Sequence, residues 1–291
     1  MPTARVDLHC HSWASDGEYP PAEVAHRAKG AGLAAIALTD HDTTDGVEDA
    51  AREGARLGVR VVPGCEFSVK APWGELHLLG LFLRPGHRRL AEFLATTRAA
   101  RWRRAEQMVQ RLQRLGVDIE LEDVVSGAGD GALGRPHVAR VLVERGVSAD
   151  MSDAFGRYLG RGKPGYVEKP LPTLGQVTEL VHGVGGIAVA AHLGDHGTEG
   201  QIREVQRQGL DGVEVRHPSH SAATEQRLIT IAERLGLAIS GGSDWHGDTE
   251  LGGAHAGLGE LDVPIEWLER LEERCRQTTR ARGSERPEGT P

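Results

Sequence analysis

The sequence predicts an α/β protein in which strands and helices alternate around a barrel, with a helical insertion in the middle of the chain. In both halves, short apolar runs of strand character are followed by helical patterns. Most of these runs end in a histidine or a carboxylate. The composition agrees, because 39 glycines supply many tight turns while hydrophobic residues still make up 39% of the chain.

The length of 291 residues is enough for one large domain or for a barrel with an insertion. From about residue 86 to residue 164 the pattern changes to helix after helix. We therefore predict a first barrel part at 1–85, a helical insertion or lid at 86–164 and a second barrel part at 165–276. The polar segment 277–291 is predicted to be a disordered tail.

Charge and cysteine content limit the partners and the compartment. A formal net charge of −8 argues against broad binding to long nucleic acid, so we expect a small or short partner. No stretch has the apolar length of a membrane span or the pattern of a signal segment, which predicts a cytoplasmic protein without a membrane partner. The three cysteines have no zinc-ribbon spacing and are expected to be reduced thiols. Oligomeric state is left open.

The first strand carries the first candidate metal ligands. Residues 6–11 alternate, so His9 and His11 point to one face while Cys10 points to the other. Asp16 follows a few residues later. Imidazole and carboxylate groups are common metal ligands, although two such histidines alone could equally form hydrogen bonds at a strand end.

The next three strands repeat this arrangement. The apolar run 33–38 ends in Thr-Asp-His-Asp, which contains His41, and the run 60–66 ends at Glu66, with Cys65 facing away. A fourth strand at 76–83 carries His77. In parallel barrels the active site lies at the carboxyl edge of the strands, so we expect these side chains to meet there.

The insertion offers candidate phosphate-binding residues. In the Arg-rich segment 98–114, one helix face holds apolar residues and another holds arginines, namely Trp102, Ala105, Val109 and Leu112 against Arg101, Arg104 and Arg111. We interpret the arginine face as solvated, with a phosphate-reading patch as the alternative. Arg135 and His137 stand at a helix start, which favours anions, and Lys163 lies in a loop leading back to strand.

The barrel pattern resumes in the second half. The run 185–191 ends at His192, and the run 212–215 is followed by His217. After the run 238–240 come Asp244 and His246, which are two apart and therefore share a face.

The candidate metal ligands number nine and are arranged so that most of them close a separate strand: His9, His11, Asp16, His41, Glu66, His77, His192, Asp244 and His246. One or two metal ions cannot use nine such ligands. Three ions could, if Glu66 or another carboxylate bridges and water completes each coordination shell. Taken as a repeating series, these residues predict a metal centre.

These motifs resemble the PHP family, named for polymerase and histidinol phosphatase. The resemblance is carried by the motifs His9-x-His11-Ser12, Thr39-Asp40-His41-Asp42, Pro63-Gly64-x-Glu66, His77, His192 and Gly242-Ser243-Asp244-x-His246-Gly247. It implies a distorted (β/α)7 barrel with a trinuclear metal site. The motifs Gly134-Arg135-Pro136-His137 and Asp211-Gly212-x-Glu214-Val215-x-His217 resemble the branch of nucleoside 3′,5′-bisphosphate phosphatases and 5′→3′ exoribonucleases on short RNA. Leu193 departs from the proline that usually follows the family's His192.

The resulting hypothesis is a phosphoesterase in which three divalent metal ions activate water, so that no serine nucleophile is needed. The expected substrate is a nucleotide or a short RNA. Arg135, Lys163 and His217 are expected to bind the phosphate, with His217 also a proton donor to the leaving oxygen. His137 is expected either to assist Arg135 in binding substrate or only to cap its helix.

Two alternatives and the identity of the metal stay open at this point. The chain could be a histidinol-phosphate phosphatase, although the helical insertion counts against it, or a non-catalytic metal-binding PHP module of a larger assembly. Manganese, zinc, iron and magnesium all tolerate such mixed ligands, and manganese is the one we favour.

Overall fold

The computed structural model describes residues 4–128, 133–248 and 256–284. The strands are β1 (Arg5–Cys10), β2 (Leu33–Leu38), β3 (Arg60–Ala71), β4 (Gly74–Leu81), β5 (Ile187–Ala190), β6 (Gly212–Arg216), β7 (Ala238–Gly241) and β8 (Val263–Pro264). The helices are α1 (Pro21–Gly30), α2 (Val47–Leu57), α3 (Arg88–Arg114), α4 (Leu121–Ala128), α5 (Arg135–Glu144), α6 (Met151–Ala154), α7 (Leu174–Gly183), α8 (Glu199–Gln206), α9 (Ala222–Leu235) and α10 (Ile265–Ser284). None of these helices is both long and apolar enough to cross a bilayer.

The eight strands form one sheet in the order β7-β6-β5-β4-β3-β2-β1-β8, which curls into a nearly closed barrel. The chain after β7 returns to β1, where the Asp244 amide donates to the His9 carbonyl at 2.9 Å and the His11 amide donates to the Trp245 carbonyl at 2.9 Å. The predicted α/β barrel is thereby confirmed. The two-residue β8 was not expected from the sequence, since its pairing with Arg5 and Val6 is a contact between distant segments.

One strand runs against the expected direction. β4 pairs antiparallel with both β3 and β5, and in this register His77 lies opposite Ser68. The sequence pattern predicts His77 as one more donor at the carboxyl end of a parallel strand. It reaches the same edge for a different reason, because the early part of an antiparallel strand lies beside the late part of its neighbour.

The segment between β4 and β5 holds α3–α7. Of these, α3–α6 share a hydrophobic core of their own, which includes Met108, Leu112, Val138 and Leu142. Val167 also packs into this core, slightly beyond the predicted end of the insertion at residue 164. The barrel core is built around strand residues such as Phe67 and Leu79.

The arginine face predicted on α3 is not solvated at two of its three positions. Arg101 and Arg104 are buried, at 7% and 6% exposed, whereas Trp102 is 45% exposed. Arg101 pairs with Asp42, and Arg104 donates from Nε to the Val167 carbonyl at 2.9 Å. Arg111 is exposed and donates to the Tyr166 carbonyl. The prediction failed because Arg101 and Arg104 bond to groups of segments distant in sequence, Asp42 and the Val167 carbonyl, which helical periodicity alone cannot reveal.

The carboxyl-terminal helix is longer than the predicted 165–276 boundary allows. α10 continues to Ser284, so the prediction of a disordered tail is wrong for residues 277–284. Thr278 anchors this part of the helix to the barrel by donating from Oγ1 to Asp211 Oδ1 at 3.1 Å. Gln277 also donates to Glu273 one turn earlier. Residues 285–291 lie outside the described part of the chain.

Candidate metal centre

Glu66, at the edge of the barrel, is surrounded by imidazoles. Its carboxylate oxygens lie within 3.3 Å of five ring nitrogens, which belong to His9 (3.3 Å), His11 (3.3 Å), His41 (3.1 Å), His77 (2.8 Å) and His192 (3.1 Å). Glu66 itself is 1% exposed. These residues come from β1, β3, β4 and the ends of β2 and β5, so the barrel edge brings together donors that are distant in sequence.

Several of these atoms are close together without forming hydrogen bonds. Within the described residues, His9 Nε2, His41 Nδ1 and Glu66 Oε2 are buried and have no hydrogen-bond partner, and the same holds for His11 Nδ1 and Asp16 Oδ1. Polar atoms that converge in a buried space without hydrogen-bond partners fit a bound cation better than a hydrogen-bond network. The donors are imidazoles and carboxylates, which suits a divalent metal of the first transition row or magnesium.

The candidate ligands form overlapping groups. His9, His11, Glu66 and Asp244 form one group, with Asp244 Oδ1 at 3.2 Å from His9 Nε2 and 3.1 Å from His11 Nε2. A second group contains Glu66, His41 and His77. His192 adjoins this second group through the same Glu66 oxygen as His77.

A further group centres on Asp16. Its carboxylate lies 3.4 Å from His246 Nε2, 3.8 Å from His41 Nε2 and 3.9 Å from His11 Nδ1. The structure therefore places all nine predicted ligand residues at one edge of the barrel, and their role as ligands stays a prediction.

Glu214 was not assigned a role from the sequence, although it lies in the centre. Its Oε1 is 3.1 Å from His9 Nδ1, and its Oε2 accepts the His192 amide at 2.8 Å. A carboxylate on one ring nitrogen fixes the tautomer and leaves the other nitrogen free for metal, so we assign Glu214 an orienting role. The available signal was a single buried carboxylate between valines in a short apolar strand.

The electrostatics keep the central carboxylate ionised. Burial acts to raise the pKa of Glu66, but His41, His77 and His9 outweigh it and hold the pKa well below its usual range. The rings themselves shift in opposite directions. Burial lowers the pKa of His41 to about 3, whereas Asp244 and Glu66 outweigh burial at His11 and raise its pKa to about 10, and Glu66 outweighs burial at His77 and raises its pKa to about 9.

Backbone strain is concentrated at the strand ends of the site. Asp42, His192 and Asp244 have φ angles of 50°, 29° and 51°, in a region that residues other than glycine rarely adopt. Leu193, which replaces the family's proline, has φ −58°, close to the value that a proline ring imposes. The departure therefore leaves the local backbone compatible with the motif.

Neighbouring residues of the motifs brace the centre. Asp40 accepts three hydrogen bonds at 2.7 Å, from the Ser12 amide, the Ser12 hydroxyl and the Ser15 hydroxyl, and so joins the loops after β1 and β2. Cys10 and Cys65 pack in hydrophobic cores, which confirms that strand alternation directs both thiols away from the metal ligands.

A cavity of about 530 Å³ adjoins the centre. It lies between the β3–β4 hairpin and the insertion, and its lining includes Arg135, Arg161, Tyr166, Lys169 and Glu75. Glu75 Oε1 connects the two sites, because it lies 3.6 Å from His77 Nε2 and accepts from Lys169 Nζ at 3.0 Å. Burial lowers the pKa of Lys169 to about 8, and the charge of nearby Arg101 contributes to the shift.

The predicted substrate residues have different outcomes. Arg135 lines the cavity, with its guanidinium 5.7 Å from the Phe155 ring centre and 5.9 Å from that of Tyr166. Lys163 lies exposed in its loop and is not among the described residues that line the cavity, so its phosphate contact stays a prediction.

His137 is a cap rather than a phosphate ligand. Its Nδ1 accepts the Gly134 amide at 3.1 Å, and its Nε2 lies 3.2 Å from the Ser15 carbonyl, to which it donates. Both ring nitrogens are therefore committed to backbone groups. The prediction that His137 binds substrate is corrected on this ground, and the alternative of a helix cap holds.

Comparison with known proteins decides the family. The family model for the PHP domain matches residues 7–111. A 3′,5′-nucleoside bisphosphate phosphatase of Chromobacterium violaceum is 39% identical over 278 residues, which cover 90% of this chain and 94% of that protein. The chain belongs to the PHP family.

Other PHP relatives agree on the chemistry. The 5′-3′ exoribonuclease Rnm of Escherichia coli is 35% identical over 247 residues, covering 82% of this chain and 84% of the relative. A solved structure of a predicted metal-dependent phosphoesterase from Bifidobacterium adolescentis superposes with a TM-score of 0.85 and 34% identity, covering 94% of this chain and 98% of that one. This PHP chain is thus a metal-dependent phosphoesterase, and the family resemblance drawn from its motifs is confirmed.

Proposed function

We propose that this enzyme hydrolyses the 3′-phosphate of nucleoside 3′,5′-bisphosphates to give nucleoside 5′-monophosphates. The observation that carries the proposal is the meeting of two sites. A cluster of five imidazoles around Glu66 lies next to a cavity lined by Arg135, Arg161 and Lys169. The first suits metal-assisted hydrolysis of one phosphate, and the second supplies the positive charge to hold another.

We propose three divalent ions, one for each set of ligands. The first set is His9, His11, Glu66 and Asp244, the second is Glu66, His77 and His192, and the third is Asp16, His41 and His246. Manganese is our preferred metal, with zinc, iron and magnesium as alternatives. Bound ions would supply Lewis acidity and lower the pKa of a water toward neutrality, which makes that water a nucleophile.

His217 is our candidate for giving a proton to the leaving oxygen. The Ser219 amide donates to His217 Nδ1 at 3.1 Å, so in the neutral ring the proton is on Nε2. Nε2 faces the centre, 3.5 Å from Asp244 Oδ2, and has no hydrogen-bond partner among the described residues. A ring nitrogen that carries a proton cannot bind metal, so this geometry favours a hydrogen-bond donor to the leaving oxygen over a tenth ligand. Transfer of the proton to that oxygen requires the imidazolium form, which then returns to the neutral ring.

Lys169 is our candidate for binding the second phosphate together with Arg135. Its ammonium donates one hydrogen bond to Ser68 Oγ and one to Glu75 Oε1, so its third N–H is available to a ligand. The insertion and the hairpin would thus hold the substrate between them, with Lys163 as a further candidate for the phosphate.

A substrate panel with metal analysis tests this proposal. Purified full-length protein would be assayed for phosphate release from a nucleoside 3′,5′-bisphosphate, a 5′-phosphorylated RNA trinucleotide, histidinol phosphate and an aryl phosphate. We expect the bisphosphate to have the highest kcat/KM, and Glu66→Gln to lose both metal and activity. A preference for the trinucleotide would support an exoribonuclease instead. A preference for histidinol phosphate would overturn the proposal.

A pair of variants tests the cavity within the same panel. Removing a charge-assisted contact costs about 1.5–3 kcal/mol, so Arg135→Ala should lower kcat/KM on the bisphosphate by about ten- to a hundredfold. Lys163→Ala is the variant to compare with Arg135→Ala, because it also removes one positive charge but at an exposed position that does not line the cavity. Equal losses of kcat/KM on the bisphosphate and on the aryl phosphate would show that the cavity does not bind the second phosphate.

A further inference from the structure

A buried arginine of the insertion links two parts of the site. Arg101 donates to Asp42 Oδ2 from Nε at 2.8 Å and from Nη2 at 2.5 Å. Its third hydrogen bond goes to a different segment, because Nη1 donates to the Leu133 carbonyl at 3.3 Å. Leu133 is two residues before Arg135, so one guanidinium connects the turn that follows His41 with the start of α5.

The Asp42 end of this link is tied to the metal centre. The Asp42 amide donates to the Glu66 carbonyl at 3.0 Å, and Asp42 Oδ1 lies 3.4 Å from the Ser68 amide. Asp42 therefore braces the backbone from Glu66 to Ser68 while holding a left-handed φ of 50° beside His41. A buried carboxylate in such a position requires a cation, and Arg101 supplies it.

The Leu133 end is tied to substrate binding. α5 starts at Arg135, and the same helix start is fixed from another side by the His137 bond to the Ser15 carbonyl. Ser15 precedes Asp16, a candidate ligand. The start of α5 is thus held over the metal-binding loops by two buried polar contacts, one of which is Arg101.

We infer that Arg101 is a positioning residue that holds Arg135 in register with the metal centre, so that one phosphate lies on the metals while the other meets the cavity. This inference rests on the proposed function. It explains why α3 buries an arginine where periodicity predicts a solvated face, and it makes the insertion a fixed wall of the site instead of an independent lid.

A double-mutant cycle in the full-length protein tests the inference. Arg101→Lys keeps a charge for Asp42, but its single ammonium cannot reproduce the forked reach to the Leu133 carbonyl. If Arg101 positions Arg135, the loss caused by Arg135→Ala on the bisphosphate should shrink from about ten- to a hundredfold to within about threefold in the Arg101→Lys background. The loss should appear mainly in KM, and the aryl phosphate should be little affected.

Arg98→Lys is the matched control, because Arg98 is one turn earlier on α3 and pairs with exposed Asp45 at 2.7 Å. Its effects should multiply with those of Arg135→Ala. A multiplicative cycle for Arg101 as well would overturn the inference, since a purely structural role lowers activity without changing what Arg135 contributes.

A second variant keeps the test valid even where the first one loses its fold. If Arg101→Lys does not fold, the charge-free pair Asp42→Asn with Arg101→Gln carries the same cycle, with the same two outcomes. Failure of the two proposals is distinguishable. Wild-type protein that releases phosphate from neither substrate refutes the proposed function, whereas active protein with a multiplicative cycle refutes only the role of Arg101.

Discussion

Glu214 Oε1 lies 3.1 Å from Nδ1 of His9, and both side chains are fully buried. This contact holds the imidazole so that Nε2 faces Glu66 and Asp244. Since the same carboxylate also accepts the His192 amide, one buried glutamate orients two candidate ligands from different strands.

We therefore expect Glu214→Gln to weaken metal binding by about ten- to a hundredfold, because an amide keeps the shape but not the charge that holds the ring. Metal affinity measured by competition with a chelator checks this. Glu225→Gln is the control, as Glu225 pairs with Arg216 at 2.6 Å away from the metal ligands. Unchanged affinity in Glu214→Gln would assign that glutamate a packing role only.

Asp16→Ala, His41→Ala and His246→Ala should each abolish phosphate release while leaving the fold largely intact. These residues meet at one group on the barrel edge, where function and core packing are separable. Phosphate release, bound metal and circular dichroism would be measured on the same samples. Full activity of all three variants with metal restored would refute the metal mechanism.

Lys169 gives a pH dependence with a definite sign. Its pKa of about 8 lies below the usual 10.5, so the ammonium is present at pH 7 and is lost as pH rises through 8. kcat/KM on a bisphosphate should therefore fall above pH 8, mainly through a rising KM. In Lys169→Arg this fall in kcat/KM should begin at a higher pH, because a guanidinium stays charged.

An aryl phosphate, which does not reach the cavity, is the control substrate for that experiment. If kcat/KM falls near pH 8 to the same extent for both substrates, and in the wild type and Lys169→Arg alike, the titrating group is not Lys169. The same shift also affects stability. Between pH 8 and 10.5 the unfolded chain binds more protons at Lys169 than the folded chain does, so this residue makes the free energy of unfolding rise with pH over that window.

Gly242 is expected to tolerate no side chain. A Cβ at this position would lie 2.4 Å from both the amide nitrogen and the Cβ of His9, so β1 would have to move at a candidate ligand. We expect Gly242→Ala to lower metal content and thermal stability together. Gly200→Ala, on α8 with open space around it, should be neutral or stabilising by up to about 1 kcal/mol. Normal metal content in Gly242→Ala would show that the strand can yield.

The sequence was sufficient for those features that repeat locally. Strand alternation predicted correctly that Cys10 and Cys65 point into hydrophobic cores. The recurrence of polar residues after apolar runs predicted which side chains share the barrel edge. Each of these inferences needs only the geometry of one element.

Features set by contacts between distant segments could not be obtained in this way. The burial of Arg101 depends on Asp42 from another element, and the role of Lys169 depends on a hairpin residue, Glu75. The antiparallel direction of β4 has no local signature either. Glu214 stands in a motif of the family resemblance, but its role could not be assigned because its partner His9 lies far away in the sequence.

The pairing of β4 with β5, which brings Leu78 beside Ala190 across the whole insertion, also has a consequence for biosynthesis. A chain emerging from the ribosome presents His9, His11 and Glu66 early, but His192, Asp244 and His246 only after most of the protein has been made. The insertion has its own core and can collapse in the meantime, which shortens the unfolded loop that separates the two barrel halves. Metal capture by the full set of candidate ligands is therefore expected only after His246 has been synthesised.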